Sequence, residues 1–266
     1  MFSSTLVFRV VLGKGSSVVE VLKTESAALR AFPVVTATRN PAIQDRRAAI
    51  DYRLVPFGKE AEAPIAELVL MHTAMMPNSL PVLLGREFLK KFYYAILPRE
   101  GYIQGVVAYI DGEPAGFQVF TTDSDGFMSA AASRHMPELI RILTPEVVRS
   151  PRRIQYLINA WQLTRSRGPS ATPIAEFMSL GVRELYRTHE FKEHTGIRVA
   201  HDLHKYTFEE MVRCGVIEAR TIIDDDNRRS REYHEKTGWK LYATDIPGWN
   251  VPSVEYRIRP QEFQFD

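Results

Sequence analysis

The sequence predicts an α/β (α+β) fold around a mixed, mostly antiparallel sheet, and three observations predict it. Short β-branched runs alternate with segments whose apolar residues recur at helical spacing. The turn Asp111-Gly112 sits between two alternating apolar runs, the mark of a hairpin. A chain of 266 residues that is 45% hydrophobic and 25% charged is ordinary for a globular protein and can bury a core.

Residues 1–50 are expected to form an N-terminal extension. The run STLVFRVVL, the turn GKGS and the run SVVEVLK suggest a small hairpin; residues 24–49, with Pro33, Pro41 and no sustained period, read as a linker. The body then spans residues 51–266. DYRLVPF (51–57) is a short strand, and EAPIAELVLMHTAMM (62–76) is a helix that tolerates Pro64 in its first turn. LLGREFLKKFYYAIL (83–97) is a second amphipathic helix, and YIQGVVAYI (102–110) with AGFQVFTT (115–122) forms the hairpin. Residues 123–170 make a helical insertion: MPELIRIL, then TPEVV with Thr144 as N-cap and Pro145 at the first helical position, then RRIQYLINAWQL. IAEFMSLGV (174–182) is a buried strand, VAHDLHKYTFEEMVRCG (199–215) a helix ended by Gly215, and VIEARTII (216–223) a strand. Asn227 to Thr237 is a short helix, and WKLYATDI and VPSVEYRIRP are closing strands.

The formal net charge of +2 lacks the strongly basic footprint of a nucleic-acid or anionic-membrane binder, so neither partner is expected. The excess lies in residues 1–50, which carry seven basic and three acidic side chains. Cys214 is the one cysteine, which excludes an internal disulfide and a cysteine-rich zinc module and suits a reducing compartment. No apolar run reaches the roughly 18 residues that span a bilayer, and Arg9 interrupts the stretch from Leu6 to Leu12. No signal peptide is read, and a cytoplasmic location is expected.

The most specific part of the chain runs from AEFMSLGV through a helix ending RCG to IEARTIIDDDN and NRRSREYHEKTGW. There Asn227 precedes a short helix and then Glu235-Lys236-Thr237-Gly238-Trp239. In that order and spacing, from Asp51 onward, the chain resembles the GNAT-type N-acetyltransferase superfamily. The resemblance implies the acyl-CoA N-acyltransferase fold, with a V-shaped splay in its central sheet. It also implies acetyl-CoA as co-substrate and direct attack of an amine on the thioester.

The pantetheine arm of such a donor carries two amides that need main-chain partners, which a strand bulging away from its neighbour supplies. Met178 to Val182 is the candidate segment. Leu180, Gly181 and Val182 would bind the arm, and one of their N–H groups would hold the oxyanion. Phosphates favour backbone N–H groups at a helix start, here HTGIRVA (194–200). The family pattern Gln/Arg-x-x-Gly-x-Gly/Ala fits it in part. One register starts the glycines at Gly196; the other, preferred here, puts Arg198 at the glycine position and matches Ala200. Gly196, Ile197, Arg198, Val199 and Ala200 are cofactor-binding candidates, together with Asn227 and Ser230. The loop from Val182 to Gly196 is longer than the pattern requires.

Where the family places a tyrosine close to the departing sulfur, this chain has His234, with Tyr233 at the preceding, usually buried, aromatic position. His234 is the candidate proton donor; an exposed helix residue is the bland alternative. Glu176 is the candidate base for the amine, set against a paired structural carboxylate, and His72 is a second candidate. Asn78, Ser79, Arg86 and Tyr93 are the expected acceptor contacts. His201 and His204 share a helix face without a third ligand and read as solvated, so no metal is expected. His189 and His194 flank the long loop, Asp224 to Asp226 read as a helix cap, and Arg228, Arg229 and Arg231 as a solvated face that could meet phosphates. Cys214 reads as a small buried residue.

The expected function is transfer of an acetyl or other acyl group from coenzyme A to a small-molecule amine, by a chain compatible with a homodimer. Two other readings stay open. One is an acyltransferase that takes a long-chain donor from acyl carrier protein. The other is a non-catalytic coenzyme-binding or regulatory protein on the same fold, suggested by the missing tyrosine.

Overall fold

In the computed structural model the described residues are 50–166, 173–246, 249 and 251–263, so the hairpin expected within residues 1–49 lies outside them. They hold a seven-stranded sheet of order β1-β2-β3-β4-β5-β7-β6. β1 (Tyr52–Phe57), β2 (Gln104–Ile110), β3 (Glu113–Thr121) and β4 (Ile174–Val182) follow one another antiparallel. β5 (Glu218–Asp224) runs parallel to β4, and β7 (Ser253–Ile258) and β6 (Lys240–Thr244) return antiparallel. A single parallel junction in an antiparallel sheet is the mixed, mostly antiparallel architecture expected above.

That junction is short. Ile174 to Phe177 pair with Glu218 to Thr221, and pairing stops there although β4 continues to Val182 and β5 to Asp224. On its other edge β4 carries one extra residue. Phe177 opposes Phe120 and Ser179 opposes Val119, so Met178 is bulged. A bulge bends the strand and increases its twist, which carries β4 away from β5. Gly181 permits the new course: a Cβ there would sit 2.7 Å from Phe117 and 3.1 Å from the Met75 methyl.

The helices cover both sheet faces. Alternation along β2 separates them: Val107 and Tyr109 enter one core, Val106, Ala108 and Ile110 another. The first core packs α1 (Ile65–Met75) and α3 (Phe88–Ile96) on the sheet, through Leu68, Leu89, Phe92, Tyr93 and Phe117. Between these helices lies the short α2 (Leu80–Leu83), and α4 (Leu97–Arg99) continues α3. The insertion supplies α5 (Phe127–Arg134), α6 (Met136–Arg149) and α7 (Arg153–Ser166). The opposite face is covered by α9 (Val199–Arg213), whose Val199 and Leu203 meet Val106 and whose Phe208 meets Phe177 and Trp239. Among the described residues no helix is long and apolar enough to cross a membrane.

Three expected elements come out differently. The helix expected at 83–97 is divided, and its main part, α3, is π-helical, with the Leu97 N–H donating to the Phe92 carbonyl. α6 runs unbroken through Pro145, where a fresh start was expected. The proline ring removes one backbone donor, but the buried Glu146 carboxylate beside it accepts from the Glu87 N–H and pairs with Arg153, which holds the helix in place. The loop expected after Val182 is folded into a 3₁₀ turn (Glu184–Arg187) and the helix α8 (His189–Thr195). Thr188 caps α8 by accepting from the Phe191 N–H at 3.1 Å, and Gly196 ends it at φ 66°, the left-handed conformation glycine adopts without strain.

Candidate functional site

Past Phe177 and Thr221, β4 faces a cavity of about 320 Å³. Leu180 and Val182 form one wall, residues from Arg198 to His201 at the start of α9 a second, and Asn227, Ser230, Tyr233 and His234 a third. Asn227 and the last three belong to the cap and body of α10 (Arg228–Lys236). The lining is graded. Exposed Arg187, Lys192, Arg198 and Arg229 stand at the rim, whereas Leu180, Val182, Val199 and His234 are half-buried or buried. Among the described residues no Asp or Glu lines the cavity.

Two helix N-termini border it. Arg198 is the N-cap of α9 and makes no side-chain cap, so the first-turn N–H groups carry the positive end of a 15-residue helix uncapped. Asn227 caps α10, its side-chain oxygen accepting from the Ser230 N–H at 3.2 Å. Gly196 and Ile197 do not line the cavity: the first closes α8, and the second is fully buried and donates its N–H to the Thr195 hydroxyl. Because α9 begins at Val199, the register with Arg198 and Ala200 is the one that lies at the helix mouth.

His234 is 5% exposed and borders the cavity. Its Nδ1 lies 2.6 Å from the Ser230 carbonyl, so Nδ1–H donates there and Nε2 is left as an acceptor. Burial lowers its pKa to about 4, outweighing the helix carbonyl, so the ring is neutral at pH 7. His204, Trp239 and Tyr256 pack around it. The neighbouring Tyr233 hydroxyl is buried without a hydrogen-bond partner among the described residues, and burial pushes its pKa up to about 12.

The other face of β4 is closed. Glu176 is buried and pairs with Arg220 Nε at 2.9 Å, and the same guanidinium reaches Asp125 at 3.0 Å. This is the paired setting, so its charge is spent on holding the foot of the splay. Tyr93, expected at the acceptor, is 1% exposed and shares a hydrogen bond with Ser179; burial pushes its hydroxyl above the usual tyrosine range. His72 lies between the Tyr94 hydroxyl at 2.7 Å and the Ser79 hydroxyl at 2.9 Å, and burial lowers its pKa to about 4. Asn78 and Arg86 are exposed and outside the cavity, and Gly181 faces Met75 and Phe117.

Other expectations are corrected. His204, read as solvated, is 1% exposed and stacks on Phe177 and Phe263, because chain from distant positions covers that helix face. Cys214, read as buried, is exposed. His189 pairs with Glu193, and His194 bonds the Glu190 carbonyl; neither lines the cavity. Tyr186, Arg187 and Lys192 line it without having been chosen, as do His201, read as solvated, and Arg229, read as a solvated face that could meet phosphates. The unexplained length of the 182–196 segment was the signal for the first three.

No family model matches the sequence, and no curated protein matches it significantly. Solved structures resemble the chain over most of its length, at TM-scores below 0.5. An N-acetyltransferase from Staphylococcus aureus Mu50 is 12% identical at a TM-score of 0.47, over 79% of this chain and 99% of its own. The aminoglycoside acetyltransferase AAC(6')-Ib, solved with coenzyme A and kanamycin, is 13% identical at a TM-score of 0.46, over 80% and 96%. The PaiA N-acetyltransferase from Thermoplasma acidophilum, solved with coenzyme A, is 12% identical at 0.42, over 79% and 99%. At these identities the likeness concerns the fold alone.

Proposed function

We propose that this chain is an acyltransferase that holds an acyl-coenzyme A, acetyl-CoA first among them, in the splay and passes the acyl group to an amine of a small molecule. The observation that carries the reading is the parallel pairing that ends at Phe177 and Thr221 and opens a cavity with a cationic rim and an apolar wall. A long donor with phosphates at one end and an uncharged thioester at the other matches that gradient. The first-turn N–H groups of α9, with Arg198 and Arg229, would hold the pyrophosphate. The β5-facing edge of Leu180 to Val182, freed from pairing, would bond the amides of the arm, and an N–H of that edge would hold the oxygen that gains charge.

The thioester supplies the acyl carbon and leaves as a thiol. His234, neutral and with Nε2 unprotonated, is suited to take the proton that the attacking amine sheds and return it to the sulfur. The C–N bond forms, the C–S bond breaks, and one proton passes from nitrogen through Nε2 to sulfur. In this reading His234 is a proton shuttle, because a ring with a pKa of about 4 holds no spare proton at neutral pH. Glu176 keeps the splay open at its foot through Arg220 and does not serve as the base.

The same neutral ring favours the second reading, a protein that binds coenzyme A without turning it over. Calorimetry with acetyl-CoA and an assay of thiol release over a panel of amines separate the two. Binding with amine-dependent release supports the enzyme; binding without release over the whole panel supports the binding protein. Binding of acyl carrier protein with no binding of acetyl-CoA overturns the donor named here.

A further inference from the structure

The rim of the cavity is not built by the two helix starts alone. The segment 183–195, between β4 and α8's end, adds Tyr186, Arg187 and Lys192 to it. This segment is a fixed structure. Tyr186 and Phe191 meet edge to face at 5.3 Å and pack on the core beside Val199 and Leu203, and Thr195 donates its hydroxyl to the Phe191 carbonyl at 2.7 Å. The backbone that carries Arg187 and Lys192 is thereby anchored at the rim.

The rim cations are also crowded. Lys192 is pushed below the usual lysine range by partial burial and then by Arg229 and Arg198, and among the described residues no carboxylate lines the cavity to offset the repulsion. Like charges gathered at one opening favour a ligand of matching negative charge. The pyrophosphate of coenzyme A accounts for the helix starts with Arg198 and Arg229. Arg187 and Lys192 are a surplus that a pyrophosphate alone does not require.

We propose that segment 183–195 builds a second phosphate subsite, in which Arg187 and Lys192 bind the 3′-phosphomonoester of the donor's ribose and so select coenzyme A over dephospho-coenzyme A. The inference rests on the donor reading above and adds to it a specificity determined by residues outside the helix mouth. Arginine contributes a planar fork suited to two phosphate oxygens, and lysine a compact point charge. Both side chains are exposed, so replacing them leaves the packing of Tyr186 and Phe191 intact.

The test is calorimetric titration of the full chain with coenzyme A and with dephospho-coenzyme A, for the wild type and for the double variant Arg187→Ala, Lys192→Ala. The wild type is expected to bind coenzyme A about tenfold more tightly, equivalent to about 1.4 kcal/mol, and the preference should shrink as salt rises. In the double variant the preference should collapse to within about twofold, by loss of coenzyme A affinity with dephospho-coenzyme A affinity unchanged. Equal wild-type affinities, or equal weakening of both ligands in the variant, overturn the subsite while leaving the donor reading standing. Failure of the wild type to bind either ligand overturns the donor reading and the subsite together.

Discussion

The face of β4 that turns to α9 and the face that turns to α1 and α3 treat their polar groups in opposite ways. On the α9 side the rim cations, the uncapped first turn of α9 and the buried Tyr233 hydroxyl surround an open cavity. On the other side His72, Tyr94 and Ser79 bond one another, Tyr93 bonds Ser179, and Glu176 is tied to Arg220. A polar group bonded inside the protein stabilises the strand; one left without a protein partner beside a cavity is open to water or a ligand. The donor is therefore to be sought on the first face. On the second, side chains that look chemical in the sequence are parts of the scaffold.

Substitutions can break that contrast. The largest effect is expected for His234→Ala, which should lower thiol release by about 10²–10⁴-fold while acetyl-CoA binding persists. With a pKa of about 4, the ring itself adds no inflection to the pH–rate profile between pH 7 and about 5, once the protonation of the amine is allowed for, and is lost as a proton acceptor only near pH 4. An inflection at pH 6.5 in the pH–rate profile would show that the ring is not desolvated in the working state.

Next in size is the closed face. Arg220→Met strands Glu176 and Asp125 and should cost about 3–5 kcal/mol in denaturant unfolding. Glu176→Gln discriminates more sharply. If it abolishes turnover without lowering the melting temperature, Glu176 is a base after all and the contrast between faces fails.

Acid should also weaken the fold. His72 and His234 are held at pKa values of about 4 and His204 at about 3, all lowered chiefly by burial from 6.5. Below pH 6.5 the unfolded chain takes up these protons before the folded one does. The stabilisation is complete above pH 6.5 and is lost as pH falls toward 4, by at most about 1.4 kcal/mol per pH unit for each ring. Melting temperatures measured between pH 7.5 and 4.5 should show the decline, and His72→Gln should make it shallower. The smallest effect is expected at Gly181→Val, whose Cβ would crowd Phe117 and Met75 and cost about 1–3 kcal/mol, with weakened acetyl-CoA binding in calorimetry because the wall beside Leu180 shifts.

Much of this architecture was legible beforehand, for reasons that can be given residue by residue. IAEFMSLGV marks β4 to its ends because a continuous apolar run bounded by polar residues is a local property. The place where β4 and β5 part is not local. It depends on the bulge at Met178 and on the room that Gly181 leaves for Met75. His234 is singled out by the resemblance, which sets the residue seven positions after Asn227 close to the sulfur, and the α10 helix does carry it to the cavity. Its protonation could not be read in this way, because the rings that dry it come from α9, β7 and Trp239. α8 escaped notice since seven residues give too few turns for a period to show. Tyr93 misled for the opposite reason: an aromatic in an amphipathic helix can face core or cleft, and only the packing of α3 on Ser179 decides.

α3 has a consequence of its own. A π turn spends one more residue per hydrogen-bonded ring than an α turn does, and α3 sustains this from Phe88 to Ile96. Losing one codon upstream of Tyr93 would let the ladder tighten and swing everything after it by about 100°. Tyr94 would then arrive where Tyr93 now meets Ser179. The packed face of β4 is thus one deletion away from a new arrangement of its buried aromatics, while the cavity on the α9 side, to which α3 contributes no residue, would keep its lining.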